Sequence, residues 1–129
     1  MGLLYLAGAI KDCTDEEARG WREQVKEIYP DALDPMVRDY RGCEDENVNE
    51  IVVLDKRDVD QSDIVLVRYL WASAGTSMEI YHAWLQGKPV IVWHDEGQKL
   101  SPWITYHGTT FVTSFEAAME KVEYYDKRR

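Results

Sequence analysis

The sequence predicts one α/β domain, a parallel sheet of about five strands with helices on both faces. Short aliphatic runs alternate with amphipathic stretches along the 129 residues, at the spacing of βαβ units. The run "SDIVLVRYL" is continuously aliphatic, as a strand is when both sheet faces are covered. Helix-start and helix-stop signals separate it from the next such run, "PVIVW".

The first run, "LLYLAG", predicts a strand over Leu3 to Ala7, with Gly8 where the backbone turns. Thr14 followed by Glu17 is a capping box, and Ala18, Trp21, Val25 and Ile28 recur at helical spacing until Pro30. "DALDPM" offers a brief strand at Ala32 and Leu33, and the polar stretch "VRDYRGCEDENVNE" reads as a solvated loop. Val48, Ile51, Val52 and Val59 fit a helix from about Asn47 toward Asp58. A helix over Gly75 to Gln86 ends at Gly87, and Pro89 opens the next strand. "TTFV" is a last short strand, and Ser114 caps the final helix, which ends in basic residues.

Composition narrows the function. A net charge of −9 leaves no broad basic surface for intact nucleic acid or anionic lipid, although a few backbone N–H groups and one or two cations suffice for a single phosphate. No apolar run approaches the roughly 20 residues of a membrane span, and no signal-peptide pattern opens the chain. Cys13 and Cys43 show no CxxC spacing, so the expected compartment is reducing and cytoplasmic. His82, His94 and His107 share no metal-ligand spacing, and neither a metal nor a cofactor is expected.

In a parallel α/β fold, ligands sit beyond the carboxyl ends of strands, near a switch in strand order. Two loops qualify: "GAIKDC" after the first strand and "RYLWASAGTSME" after the central one. In the first, Gly8 permits close approach of backbone to a ligand, and Lys11 adds a charge, although neither GxxxxGK[ST] nor GxGxxG is present. In the second, Ser73, Gly75, Thr76 and Ser77 bring hydroxyls and helix-start N–H groups near Glu79. Glu79 is expected in the first helical turn, where the dipole favours its ionised form. That placement suits a plain helix residue and a nucleophile equally. Cleaving a glycosidic bond commonly takes a second carboxyl group, and Asp55 and Asp58 are both available for it. Tyr5, Tyr40 and Trp71 are candidates to stack on a base, though aromatic residues in a small α/β domain are more often core.

The order of "YLAGAI", "LDKRDVDQSDIVLV", "GTSMEIYHAWLQGKPVIVW" and "FVTSFEAAMEKV" resembles the nucleoside 2-deoxyribosyltransferase family, which includes the 2′-deoxynucleoside 5′-monophosphate N-glycosidases. The likeness covers most of the chain and implies a Rossmann-like, flavodoxin-like fold. It implies that Glu79, the E of G-x3-E, attacks the anomeric carbon and forms a glycosyl-enzyme intermediate. It implies that Asp55, eight residues before Asp63, assists proton transfer at the leaving base or holds the sugar, with Asp63 structural. Tyr5, Gly8, Ile10 and Gly75 fall in the motifs that line the family's substrate site. Ser73 stands where free-nucleoside transferases carry aspartate and the monophosphate hydrolases carry serine. Lys11 stands where the hydrolases have arginine, and Ser101 resembles a serine that reaches the phosphate in a neighbouring subunit's site.

The resemblance therefore implies retaining cleavage of a 2′-deoxynucleoside 5′-monophosphate, by a homodimer with shared active sites. Ala9 departs from the family's usual proline or serine, and the loop carrying Arg38 and Arg41 aligns with nothing catalytic. Two alternatives remain: a transferase exchanging bases on free 2′-deoxynucleosides, and a non-catalytic nucleotide-binding module. A response-regulator-like domain fits the βα alternation but leaves the G-x3-E turn without a purpose.

Overall fold

Four parallel strands form the sheet: β1 (Leu4–Gly8), β2 (Ile64–Arg68), β3 (Val90–Trp93) and β4 (Thr110–Val112), adjacent in that order. The structure is a computed structural model that describes residues 3–128. The expected fifth strand is reduced to a single parallel bridge, in which Leu33 pairs with Tyr5 beside β1. Leu33 donates its N–H to Leu4 O at 2.7 Å and accepts from Leu6 N at 3.0 Å. Asp34 and Pro35 then divert the chain into a tight turn over Pro35–Val37, which ends the pairing after one residue.

Side chains alternate across each strand, so the sheet feeds two cores. Leu4 and Leu6 of β1, Ile64 and Leu66 of β2, and Ile91 and Trp93 of β3 face one side. There they pack on α1 (Trp21–Ile28) and α5 (Phe115–Asp126) through Trp21, Val25, Ala118 and Val122. Tyr5, Ala7, Val65, Val67, Val90 and Val92 face the other side. Val59 of α2 (Val48–Gln61), Ile80 and Ala83 of α3 (Ala74–Leu85) and Ile104 of α4 (Pro102–His107) cover them. Both faces are thus clad with helices, as the uninterrupted aliphatic strands require. The short helix α4 has no counterpart in the sequence reading, although Ser101 as N-cap and Pro102 in the first turn are helix-start signals.

The predicted caps form. Thr14 and Glu17 exchange side-chain-to-backbone hydrogen bonds of 3.2 and 2.9 Å, and the chain passes through a wide turn at Glu16–Gly20 into α1. Ser114 accepts from Ala117 N at 3.1 Å, and Gly87 takes a φ of +71° past the end of α3. Asp63 accepts from Leu3 N at 2.8 Å, tying the start of β1 to the approach to β2.

Behind β1 lies a buried cation. Arg22 of α1 has no exposed surface, and it donates to Leu6 O, Gly8 O and Ala18 O at 3.3, 3.1 and 2.6 Å. Asp34 balances its charge at 3.7 Å and also pairs with Lys26 at 2.7 Å. Arg22 therefore fixes the carboxyl end of β1 from below, where the strand turns into "AIK". Among the described residues, no helix is long and apolar enough to cross a membrane.

Candidate active site

From β1 the chain runs to the Leu33 side of the sheet and then crosses to β2 on the other side, so strand order switches at the carboxyl ends of β1 and β2. A cleft of about 150 Å³ opens at that point. One wall is the loop after β1, with Gly8, Ile10 and Lys11, together with the start of α3, with Ser73, Gly75 and Thr76. The opposite wall is the turn with Pro35, Arg38, Tyr40 and Arg41 and the inner face of α2, with Ile51 and Asp55. Glu79 lines the same cleft, so Gly8, Ile10, Lys11, Asp55, Ser73, Gly75 and Glu79 are brought together around one opening.

A Cβ on Gly8 would meet Arg68 O at 3.0 Å and the Trp21 ring at 3.1 Å, so only glycine lets the two strand ends close up here. Helix α3 begins one residue earlier than expected, with Ser73 as its N-cap, accepting from Thr76 N at 3.4 Å. Glu79 consequently lies in the second turn rather than the first, on the stripe of Thr76, Ile80 and Ala83 that packs on the sheet. The electrostatics of Glu79 are therefore set by burial more than by the helix terminus, whose influence fades beyond the first turn.

Tyr5 decides the orientation of that carboxyl. Alternation along β1 points Tyr5 at α3, where its buried hydroxyl donates to Glu79 Oε2. It touches Glu79 in place of lining the cleft, and it is too deep to stack on a ligand. Burial pushes the Glu79 pKa up to about 8, the Tyr5 hydrogen bond and Arg22 pull it down, and the neighbouring Asp55 and Asp58 push it further up. The Tyr5 hydroxyl is in turn held well above its ordinary range by burial and by the carboxylate it serves.

Arg38 is the cleft residue to which sequence reasoning assigned no role. Its Nη2 donates to Asp58 Oδ2 at 2.7 Å and to Asp55 Oδ1 at 3.2 Å, so one guanidinium nitrogen joins two acidic side chains of α2. Burial raises the Asp55 pKa, Arg38 opposes that, and Asp58 adds to it. The "DP" pair was the available signal: Asp34 accepts from Met36 N at 2.8 Å as an N-cap, with Pro35 in the first position, and the resulting turn aims Arg38 at α2. Arg41 is occupied by Asp39, Asp15 and Cys13 O at 2.8, 2.6 and 3.0 Å. Tyr40 lines the cleft and donates to Glu50 at 2.6 Å, while Trp71 lies outside it.

Ser101 is not part of this cleft. It caps α4, accepting from Trp103 N at 3.1 Å, and lines a separate depression with Ser77, Met78, Tyr81, Trp103 and His107. Among the described residues, no group of three or more His, Cys, Asp or Glu side chains is arranged to hold a metal ion.

Solved structures with the same architecture include a 2-deoxyribosyltransferase from Bacillus psychrosaccharolyticus, with a TM-score of 0.72 at 18% identity, covering 89% of this chain and 88% of that one. A Clostridium botulinum CMP N-glycosidase superposes with a TM-score of 0.61 at 18% identity, covering 96% and 98%. A conserved protein from Enterococcus faecalis V583 does so with 0.66 at 17% identity, over the same shares. The chain has the fold of these proteins. No family model and no curated protein sequence matches it.

In this fold the raised carboxyl carries a stability cost with a defined sign. Glu79 binds a proton more tightly folded than unfolded, so its contribution to stability is fully present below pH 4.5 and is lost as pH rises through about 8. The cost above pH 8 is on the order of a few kcal/mol. Glu79→Gln keeps the acceptor for Tyr5 without the charge. It is expected to melt higher than wild type at pH 9, by roughly 5 °C or more, and the gap should close as pH falls toward 5 in calorimetric scans.

Proposed function

We propose that this protein cleaves the N-glycosidic bond of a 2′-deoxynucleoside 5′-monophosphate, with retention, through a covalent glycosyl-Glu79 intermediate that water resolves. The observation that carries this reading is one cleft holding Glu79 and Asp55 together with Lys11, Ser73 and the start of α3. The sugar lies over Glu79, which Tyr5 holds in a single orientation. Its 5′-phosphate lies at the β1 loop, where Lys11, the Ser73 hydroxyl and the first N–H groups of α3 supply donors. The base extends toward α2.

Chemistry at C1′ needs Glu79 ionised, and with a pKa of about 8 only a minor fraction is so at neutral pH. A desolvated carboxylate is the stronger nucleophile, and charge developing at C1′ as an oxocarbenium-like transition state stabilises it. A 2′-deoxy sugar eases the step, because no electron-withdrawing hydroxyl opposes that charge. The fold is shared with a protein described as a 2-deoxyribosyltransferase and with one described as a CMP N-glycosidase, and both descriptions fit N-glycosidic chemistry. Serine rather than aspartate at position 73, with Lys11 close by, favours the phosphorylated substrate.

The test is release of free base from each 2′-deoxynucleoside and its 5′-monophosphate, with and without an acceptor base. Release from monophosphates alone, with no acceptor required, is the expected outcome, and Glu79→Ala should reduce it at least about 10³-fold with the fold intact. Exchange on free nucleosides would replace this reading with the transferase. No release from any substrate would replace it with a binding module.

The working form is a homodimer that shares its active sites. Ser101 lies outside its own chain's cleft, and beside it α3 and α4 expose Met78, Tyr81, Trp84, Leu85, Trp103 and Tyr106. An apolar face of that kind marks an interface. Ultracentrifugation should give twice the chain mass for wild type and a monomer for Trp103→Glu, with base release lost alongside; a monomeric wild type would refute the dimer.

A further inference from the structure

Resting on the glycosidase reading, we propose that Arg38 is the catalytic group that stabilises the departing base, and that Asp55 and Asp58 serve to position its guanidinium. An N-glycosidic bond breaks only if something accommodates the electron pair that leaves with the base. The usual candidate is a carboxylic acid, and Asp55 lies on the correct wall of the cleft. Asp55, however, is bound to a guanidinium at 3.2 Å that is shared with the buried Asp58 at 2.7 Å. Burial raises the Asp55 pKa, but the guanidinium bound to it favours its ionised form, and a carboxylate held as counter-ion to arginine opposes negative charge on a base. The arginine itself has the opposite character, because it stays cationic and offers donors without having to be protonated first.

Its donors are also incompletely used. Nη2 carries both aspartate bonds, Nη1 takes part in no hydrogen bond among the described residues, and Nε is buried without an acceptor. The other two cations of the cleft are differently placed: Arg41 is consumed by Asp39, Asp15 and a backbone carbonyl, and Lys11 belongs to the loop after β1. Arg38 is the cleft cation on the α2 side with a donor to spare. Two aspartates on one nitrogen fix the guanidinium plane before substrate arrives, which is how a preorganised donor lowers a barrier.

Glu79 forms a bond from its carboxylate oxygen to C1′ while the C1′–N bond breaks, and the electron pair stays with the base, whose anion pairs with Arg38. The base takes a proton from water, leaving hydroxide. A second water then adds its oxygen to C1′, Glu79 departs as carboxylate, and the released proton neutralises the hydroxide. One water is consumed overall.

The experiment compares wild type, Arg38→Lys and Arg38→Met on a substrate series of graded leaving-group acidity, each with and without the 5′-phosphate. The series is 5-methyl, 5-hydrogen and 5-fluoro uracil, or 6-substituted purines if those are what wild type cleaves. Arg38→Met should lose about 100-fold or more on the least acidic base, the usual effect of removing one preorganised donor, and only a few-fold on the most acidic. Arg38→Lys, which keeps the charge and the partners of both aspartates, should fall between. Equal loss across the series in both variants would overturn the proposal in favour of a structural role. Loss confined to phosphorylated substrates would overturn it by making Arg38 a phosphate ligand. Should wild type release no base at all, the glycosidase reading falls and this inference with it, an outcome distinct from either of those.

Discussion

The hydrogen bond from Tyr5 to Glu79 is the constraint on which the site depends, because it is where the sheet and the helix layer agree on one geometry. Parallel pairing of β1 with β2 fixes Tyr5 opposite Val65, and alternation sends its ring toward α3. Helix α3 in turn packs Thr76, Ile80 and Ala83 on the sheet, and Glu79 shares that stripe. A carboxyl so placed loses much of its hydration, and the fold offsets the loss with one phenol and with Arg22 behind β1. The cost to stability and the raised pKa of Glu79 have the same origin.

Charge is divided along the cleft rather than spread over the molecule. The chain is strongly acidic overall, yet Lys11, Arg38 and Arg41 converge on this one opening. Arg41 and Asp39 hold each other firmly, and the guanidinium keeps the aspartate carboxyl far below the usual carboxylate range. Lys11 at one end and Arg38 at the other flank the carboxyl groups of Glu79 and Asp55.

Much of this was legible in the sequence, for identifiable reasons. Continuous aliphatic strands and the Thr14 and Ser114 caps are local signals, and the structure follows them. Glu79, Asp55, Lys11 and Ser73 meet because strand order switches where their loops leave the sheet. What escaped is non-local or marginal. The fifth strand fails because Pro35 follows a pairing segment too short to sustain it. Glu79 moved to the second turn because Ser73 competes successfully with Gly75 as the helix start. Arg38 finds its partners 17 and 20 residues away, and Arg22 sits in an amphipathic helix where a charged residue is ordinarily solvated.

The central claim is that the fold holds Glu79 as a desolvated carboxyl poised near neutrality. Carbon-13 NMR titration of the glutamate side-chain carboxyls, with Glu79→Gln to assign the resonance, tests it without requiring a substrate. One signal, absent from the variant, should titrate near pH 8. If every glutamate titrates in the ordinary range of roughly 4 to 5, Glu79 is solvated and the account of the site is wrong.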